Sequence, residues 1–147
     1  MRASIKMSGP RVFVSFAAED VRYRNFLTAQ CLNSECPFDF EDMSLQEPFD
    51  DKWKTRCRKK IASCHGFIVL LSNHTWRAKG ARWEIACARE ELGREKMLGI
   101  HIHADDKRAI PPELGSVRVV EWHWDTIHRF IQRLQNHRSA LDRFFGF

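Results

Sequence analysis

Glu84 is a carboxylate in an apolar setting, which makes it the first residue of this chain to consider for a chemical role. It stands between Trp83 and Ile85, in a stretch from Ser72 to Ala88 that follows an apolar run, crosses a polar loop and enters a predicted helix. Three interpretations are open: an acid that serves the start of a helix, a charge that binds a partner, and a catalytic group that faces a pocket. The secondary-structure elements around Glu84 decide which of these interpretations is favoured.

His101 and His103 are a second group with chemical potential. They alternate on a predicted strand and are therefore expected to point to the same face, near the carboxyl end of that strand. Two histidines without a third ligand at a useful spacing are a weak basis for a zinc site. We predict no metal and interpret both residues as half-buried strand histidines.

Length and composition indicate one folded domain. The chain has 147 residues, 44% of them hydrophobic and 12% aromatic, which favours a globular core over disorder. Residues 1–10 end in Gly-Pro without a periodic pattern and are predicted to form a flexible N-terminal arm, with the domain at 11–147.

The pattern of cysteines and apolar runs predicts a cytoplasmic protein. No apolar run reaches the roughly 18–20 residues that a membrane span needs, and the N-terminus has no apolar core typical of a secretory signal. An odd number of cysteines without a CxxC pair predicts reduced, mostly buried thiols. The cysteines are Cys31, Cys36, Cys57, Cys64 and Cys87.

The formal net charge of +5 is compatible with a nucleic-acid partner, an anionic nucleotide, or neither. The basic stretches 52–60 and 77–82 are interpreted as solvated helix faces, because aromatic residues are not interleaved through them as single-strand binders require. A nucleic-acid binder is therefore not favoured. It stays a rival whose affinity would fall steeply with salt.

Strands and helices alternate along the chain, which predicts an α/β fold with a five-stranded parallel sheet, right-handed crossovers and helices on both faces. Five strands suggest a flavodoxin-like order, with a ligand site where the winding reverses between the first and third strands. Phe16–Asp20 and Ser72–Trp76 would lie there. The predicted strands are 12–16, 38–40, 67–71, 97–103 and 117–121; the predicted helices are 20–32, 51–65, 81–92 and 124–144, with loops at 41–50 and 104–115.

Four segments, in their order and spacing, resemble the TIR-like family, and within it the small Thoeris ThsB proteins of bacterial anti-phage defence. They span about residues 11–102 and read RVFVSFAAED, FDFEDMS, GFIVLLSNHT and ARWEIACARE. In enzymatic TIR domains a glutamate on the helix after the third strand is required for cleaving NAD⁺, and the resemblance gives Glu84 that catalytic position. The family often has a tryptophan a few residues earlier; this chain has Ala81 there and Trp83 next to the glutamate.

Cleavage of the bond between ribose and nicotinamide explains why one carboxylate would be enough. The pyridine leaves as a neutral molecule and needs no general acid, whereas the sugar develops oxocarbenium-like positive charge that an ionised carboxylate stabilises. We expect the anionic form of Glu84 to act. A helix N-terminus would keep it ionised, and shielding by Trp83 and Ile85 would oppose this.

Further residues near the switch point are predicted to bind NAD⁺, which is a substrate here, with no separate cofactor. Aromatic rings would stack on nicotinamide or adenine, and polar groups would hydrogen-bond ribose or phosphate. Core packing, capping and turns explain the same residue types equally well. The candidates are Ser15, Phe16, Asp20, Ser44, Asn73, Trp76 and Trp83.

The resemblance implies an enzyme that cleaves NAD⁺ when phage infection is sensed. It would release nicotinamide and an ADP-ribose-derived nucleotide, cyclic or conjugated, that activates a separate effector protein. A phage-derived trigger and a homo-oligomer belong to the same expectation. The alternative is a non-catalytic TIR-like adaptor that acts through protein–protein assembly. We interpret the terminal residues 144–147 as packing on their own domain rather than on a partner.

Overall fold

Five strands form one parallel sheet in the computed structural model, which describes residues 9–34, 38–43, 48–103 and 110–145. The order of the strands is β2-β1-β3-β4-β5, and each neighbouring pair is parallel. This confirms the predicted flavodoxin-like sheet. The strands are β1 (Arg11–Ser15), β2 (Asp39–Glu41), β3 (Gly66–Leu71), β4 (Met97–His101) and β5 (Val119–Glu121).

The central strand β3 is buried along its whole length, as its uninterrupted apolar sequence GFIVLL predicts. Its alternating side chains supply two separate cores. Phe67, Val69 and Leu71 belong to the core on one face of the sheet, whereas Ile68 and Leu70 belong to the core on the other.

Helices cover both faces of the sheet, as expected. α2 and α3 contribute Cys57, Ile61, Ile85 and Ala88 to the core that contains Phe67. α1 and α4 contribute Leu27, Phe130 and Ile131, among others, to the opposite core. The helices are α1 (Val21–Asn33), α2 (Asp51–Ala62), α3 (Lys79–Glu91) and α4 (Trp124–Phe145).

Aspartate occupies the N-cap position of both α1 and α2, but its carboxylate is used differently at the two helices. At α2 the Asp50 side chain accepts a hydrogen bond from the Trp53 backbone N–H at 2.9 Å, which is an N-cap. Asp20 occupies the N-cap position of α1, but its side chain makes no capping bond. It accepts a 2.5 Å hydrogen bond from Ser72 Oγ instead, so the predicted capping role of Asp20 is wrong.

Two strands are shorter than predicted. β4 ends at His101, because β3 ends at Leu71 and its last carbonyl takes the final bond from the Ile102 backbone N–H at 2.9 Å. His103 therefore lies beyond the strand and is exposed, whereas His101 is buried, so the two are not a matched pair of strand histidines. β5 begins at Val119, since Val117 is still tied to the preceding turn through its bond to the Leu114 carbonyl.

Several predictions fall partly or wholly on residues that lie outside the described ranges. These are residues 1–8 of the predicted arm, Cys36, Ser44, residues 104–109 of the predicted loop 104–115 and the last two residues of the chain. Of the described cysteines, Cys57, Cys64 and Cys87 are buried free thiols, as predicted. Among the helices in the described ranges, none is both long enough and apolar enough to cross a membrane.

Candidate active site

A cavity of about 280 Å³ opens at the carboxyl end of β1, beside β3, where the chain order of the strands reverses. Its walls come from β1 and the segment that follows it, from Met43 after β2, and from α2 and α3. Glu84 lines this cavity. The placement of Glu84 at the switch point agrees with the position that the sequence predicts for a ligand site.

Glu84 is held by hydrogen bonds from two other elements. Its side chain is buried, and the residue retains only 6% of its exposure. Ser15 Oγ, at the end of β1, donates to Glu84 Oε1 at 2.6 Å, and Cys57 Sγ, on α2, donates to Oε2 at 3.8 Å. Each carboxyl oxygen therefore has a protein donor, one from β1 and the other from α2.

Burial raises the pKa of Glu84 to about 8; the hydrogen bonds from Ser15 and Cys57 lower it, and the charge of Asp42 raises it further. The expectation that a helix N-terminus would keep Glu84 ionised is therefore wrong. Glu84 is the sixth residue of α3, and the helix dipole acts mainly within the first turn, so desolvation dominates. Burial therefore favours the protonated form of the resting carboxyl group.

Aromatic side chains flank the cavity on two sides. Phe16 is 7% exposed and belongs to the core under α1 and α4, yet it also lines the cavity, so core packing does not remove it from the cavity wall. Trp53, from α2, forms another part of the wall, and its ring contacts Phe49 at a centroid distance of 4.9 Å. Trp53 was not among the predicted site residues.

Trp53 offers a physical explanation for the missing tryptophan of α3. The small residues Gly80 and Ala81 line the same cavity, and a Cβ added to Gly80 would lie 3.7 Å from the Trp53 ring. An indole from α2 therefore occupies space beside the first turn of α3. In the sequence, the spacing of Trp53, Cys57 and Ile61 predicts a buried face of α2, but it does not show that this face reaches Glu84.

A second cavity, of about 360 Å³, adjoins the first and shares Glu19 and His74 with it. These two shared residues are close together: His74 Nδ1 is 3.8 Å from Glu19 Oε2. Asp20 and Asn73 line the second cavity rather than the first. It is also lined by Arg22, Tyr23, Ser72 and His103.

Trp76 and Trp83 do not line the cavity that contains Glu84; they line a surface depression that shares Phe49 and Arg77 with it. Trp76 is 46% exposed, with the Arg82 guanidinium 5.1 Å from its ring centre. Trp83 packs edge-on against Trp53 at 5.6 Å and carries the Arg58 guanidinium at 5.5 Å. Both line a surface depression with Lys54 and other residues of α2 and α3.

The structure thus brings Ser15, Phe16 and Glu84 together, sets Asp20 and Asn73 in the adjoining cavity, and sets Trp76 and Trp83 in the surface depression on the other side. The charged groups around the first cavity have mixed signs. Asp42 is paired with Arg24 at 3.0 Å, and burial, the largest influence on it, raises its pKa. Within the part of the chain that the structure describes, no cluster of three potential ligands could hold a metal ion.

Comparisons with known proteins agree with this architecture. The model of the family described as "Thoeris protein ThsB, TIR-like domain" matches residues 13–107. No curated protein matches the chain in sequence.

Solved structures that are similar in fold include two SEFIR domains and a flavoprotein. A prokaryotic SEFIR domain superposes with a TM-score of 0.50 at 16% identity, covering 86% of this chain and 90% of that one. The SEFIR domain of IL-17 receptor B gives 0.55 at 14% identity, covering 86% and 95%. A diflavin flavoprotein A3 from Nostoc sp. gives 0.55 at 10% identity, covering 96% and 100%. At such identities these likenesses show the fold alone.

Proposed function

Since the chain belongs to the TIR-like domain family of the Thoeris protein ThsB, we propose that it cleaves NAD⁺ between ribose and nicotinamide, with Glu84 as the catalytic carboxylate. One observation carries the proposal. A buried glutamate with a donor on each oxygen lines a cavity at the switch point of the sheet. Strongly shifted carboxyl groups in clefts are typical of catalytic sites.

In this reaction the role of Glu84 is to stabilise positive charge. When the bond between C1′ and the pyridinium nitrogen breaks, its electron pair goes to the nitrogen, and nicotinamide leaves as a neutral molecule. The positive charge passes to the ribose, where the ionised Glu84 stabilises it. Because the carboxylate is shielded from water, this attraction is stronger than it would be at the surface. The cationic substrate itself favours ionisation of Glu84 on binding.

The two adjoining cavities fit the two halves of a dinucleotide. The first, at about 280 Å³, is close to the lower limit of roughly 300–1,000 Å³ for ligand pockets, which suits one half of NAD⁺. We place nicotinamide and its ribose there, against Phe16 and Trp53, and the adenosine half in the second cavity, near Asn73. Arg77 and Arg22, at the first and second cavity respectively, are the proposed contacts of the pyrophosphate.

The fate of the ribosyl group is part of the proposal. We propose that the product is an ADP-ribose-derived nucleotide, cyclic or conjugated, that activates a separate effector protein in the cytoplasm during anti-phage defence. A phage-derived trigger and assembly with further copies of the chain complete this hypothesis. Trp76 and Trp83 remain candidate contacts for a part of the substrate that extends beyond α3.

Nicotinamide release tests the function. The protein is incubated with NAD⁺, with and without lysate of phage-infected cells, and nicotinamide and nucleotide products are followed by chromatography and mass spectrometry. Glu84→Gln is expected to lower turnover by about 10²–10³-fold, the usual effect of removing an electrostatic contact to the transition state. Glu90→Gln, an exposed glutamate of the same helix, is the matched control. Full turnover in Glu84→Gln would contradict the assignment.

Exposed aromatic residues favour one alternative, a non-catalytic adaptor. Trp76 and Phe49 are 46% and 40% exposed, beside cationic residues of α2 and α3. Such rings are enriched at protein–protein interfaces. The adaptor would form partner-dependent oligomers that persist in Glu84→Gln, without nicotinamide release under any of the conditions above, and size-exclusion chromatography with light scattering would detect them.

A further inference from the structure

We propose that Cys57 is a positioning residue whose thiol holds one oxygen of Glu84 loosely enough for the substrate to take it over. This inference rests on the proposed catalytic role of Glu84. It assigns a task to a buried cysteine that is neither a nucleophile nor a disulfide partner.

The two donors to Glu84 differ in strength. The Ser15 hydroxyl lies 2.6 Å from Oε1, which is a short bond between oxygens, whereas the Cys57 sulfur lies 3.8 Å from Oε2. A thiol is a weak donor. Oε1 is therefore firmly held by β1, and the contact of Oε2 with the thiol is the one that a ribose hydroxyl can replace at small cost.

The thiol keeps its proton throughout the working pH range. Burial raises the pKa of Cys57 far above its ordinary value, and the charge of Glu84 raises it further. Cys57 is fully buried in the core between the sheet and the helices α2 and α3. It can therefore donate to the carboxylate at any pH at which Glu84 is ionised, without itself becoming a competing anion.

Other titratable groups also face Glu84 and must be considered in any pH experiment. The charge of Asp42, after β2, raises its pKa, and Cys87 of α3 interacts electrostatically with it. Glu19, His74 and Arg77 line the same cavity. A test of Cys57 must leave all five unchanged and alter only the donor.

Titration of Glu84 provides a readout that needs no catalysis. The full chain is labelled with an isotope at the glutamate Cδ atoms, the carboxyl resonances are followed by NMR against pH, and Glu84→Gln assigns the signal. Cys57→Ala removes the donor and should raise the Glu84 pKa by about 0.5 pH unit. Cys57→Ser supplies a stronger donor and should lower it by a similar amount, about 0.5 pH unit.

Cys64 offers the matched control. It is a buried thiol of the same core, and the charged groups that act on it are Glu41, Arg11 and Lys60. Cys64→Ala and Cys64→Ser should reduce stability to a similar extent as the Cys57 variants, yet leave the titration of Glu84 unchanged. If Cys57→Ala does not fold, Cys57→Ser, which is close in size to the native residue, still carries the test.

The catalytic part is measured at a pH where Glu84 is ionised. Cys57→Ser is expected to lower kcat several-fold there, because its hydroxyl retains Oε2. If Cys57 and Cys64 variants titrate alike, the positioning role is overturned, even where nicotinamide release depends on Glu84. If Cys57 alone moves the titration but the wild type releases no nicotinamide with any trigger, the contact stands and the NAD⁺-cleaving function fails.

Discussion

Two glutamates on opposite sides of helix α3 lie in opposite environments. Glu84 lies on the inner face of the helix and is buried beside the cavity. Glu113 lies on the outer side and forms an ion pair with Arg82, whose Nε is 2.9 Å from Oε1 and whose Nη2 is 2.8 Å from Oε2. Burial raises the pKa of Glu84 to about 8. Burial is also the largest influence on Glu113 and raises its pKa, but the Arg82 hydrogen bond, the backbone hydrogen bond and the Arg82 charge together outweigh it and lower the pKa.

The difference shows what an α/β fold needs in order to make a reactive carboxylate. Glu113 has a cation that neutralises it, so its ionised form is stable and the pair is structural. Among the described residues, the donors to Glu84 are the neutral groups of Ser15 and Cys57, which orient the carboxyl group without fixing its charge. A carboxyl group in that state ionises readily when a positive charge arrives, and this is what a pyridinium substrate brings.

The largest expected effect is on the free energy of unfolding, when the tryptophan on the inner side of α3 is compared with one on its outer side. Trp53→Ala should lower the free energy of unfolding by about 3–5 kcal/mol, because Trp53 is 5% exposed and its loss leaves a void beside Glu84. Trp76→Ala should change it by only about 0.5 kcal/mol, since Trp76 is 46% exposed. Urea unfolding measures both. Equal destabilisation by the two substitutions would contradict the inner and outer assignments.

The next effect concerns the pH dependence of catalysis. If the anion of Glu84 acts, kcat/KM should rise with pH through a midpoint near the Glu84 pKa of about 8, and its value at pH 6 should be about 50-fold lower than at pH 8. The midpoint of kcat should lie lower, because bound cationic substrate favours the ionised carboxylate. Glu113→Gln should leave both profiles unchanged. A flat kcat/KM profile over this range would rule out an ionisation of Glu84 as the controlling step.

The two glutamates should also affect stability with opposite signs. The pKa of Glu84 is raised from 4.5 to about 8 on folding, so the folded protein binds the proton more tightly and the contribution of this group is lost as pH rises from about 4.5 to about 8. The slope approaches roughly 1.4 kcal/mol per pH unit. For Glu113, whose pKa is lowered, stability is present above 4.5 and is lost as pH falls through its folded pKa.

Unfolding of Glu84→Gln measured at several pH values tests the first of these slopes. The substitution should remove the decline of stability between pH 5 and pH 8, whereas Glu113→Gln should leave that decline intact. An identical pH dependence in wild type and Glu84→Gln would show that the carboxyl group titrates as it does in the unfolded chain.

The smallest effect belongs to the outer ion pair. Arg82→Ala should reduce the free energy of unfolding by about 0.5–1 kcal/mol, because the side chains of Arg82 and Glu113 remain 32% and 26% exposed and salt screens the pair. The loss should shrink at high salt. A double-mutant cycle of Arg82→Ala and Glu113→Gln isolates the coupling, and a coupling above about 2 kcal/mol would mean that this pair is as important as the buried network.

The order of the strands could be predicted because local periodicity shows where strands and helices alternate, and five such strands favour a flavodoxin-like order. The uniformly apolar β3 can only be a central strand, and the short connection after β1 has to meet the one after β3 at the same edge. The likeness to TIR domains then singled out Glu84. Strand ends were less predictable: β4 stops at His101 because its partner β3 has ended, which no pattern within 97–103 reveals.

By itself, the sequence determined the sheet, its switch point and the helix on which Glu84 stands. Only the tertiary structure decided the environment of that carboxylate. Ser15 and Cys57 are 69 and 27 residues away from Glu84 along the chain, and they meet it because β1, α2 and α3 pack together. Periodicity reports which residues are buried but not which of them face one another. Helix geometry alone, by contrast, already directs Trp83 away from its neighbour Glu84, since adjacent residues of a helix project about 100° apart.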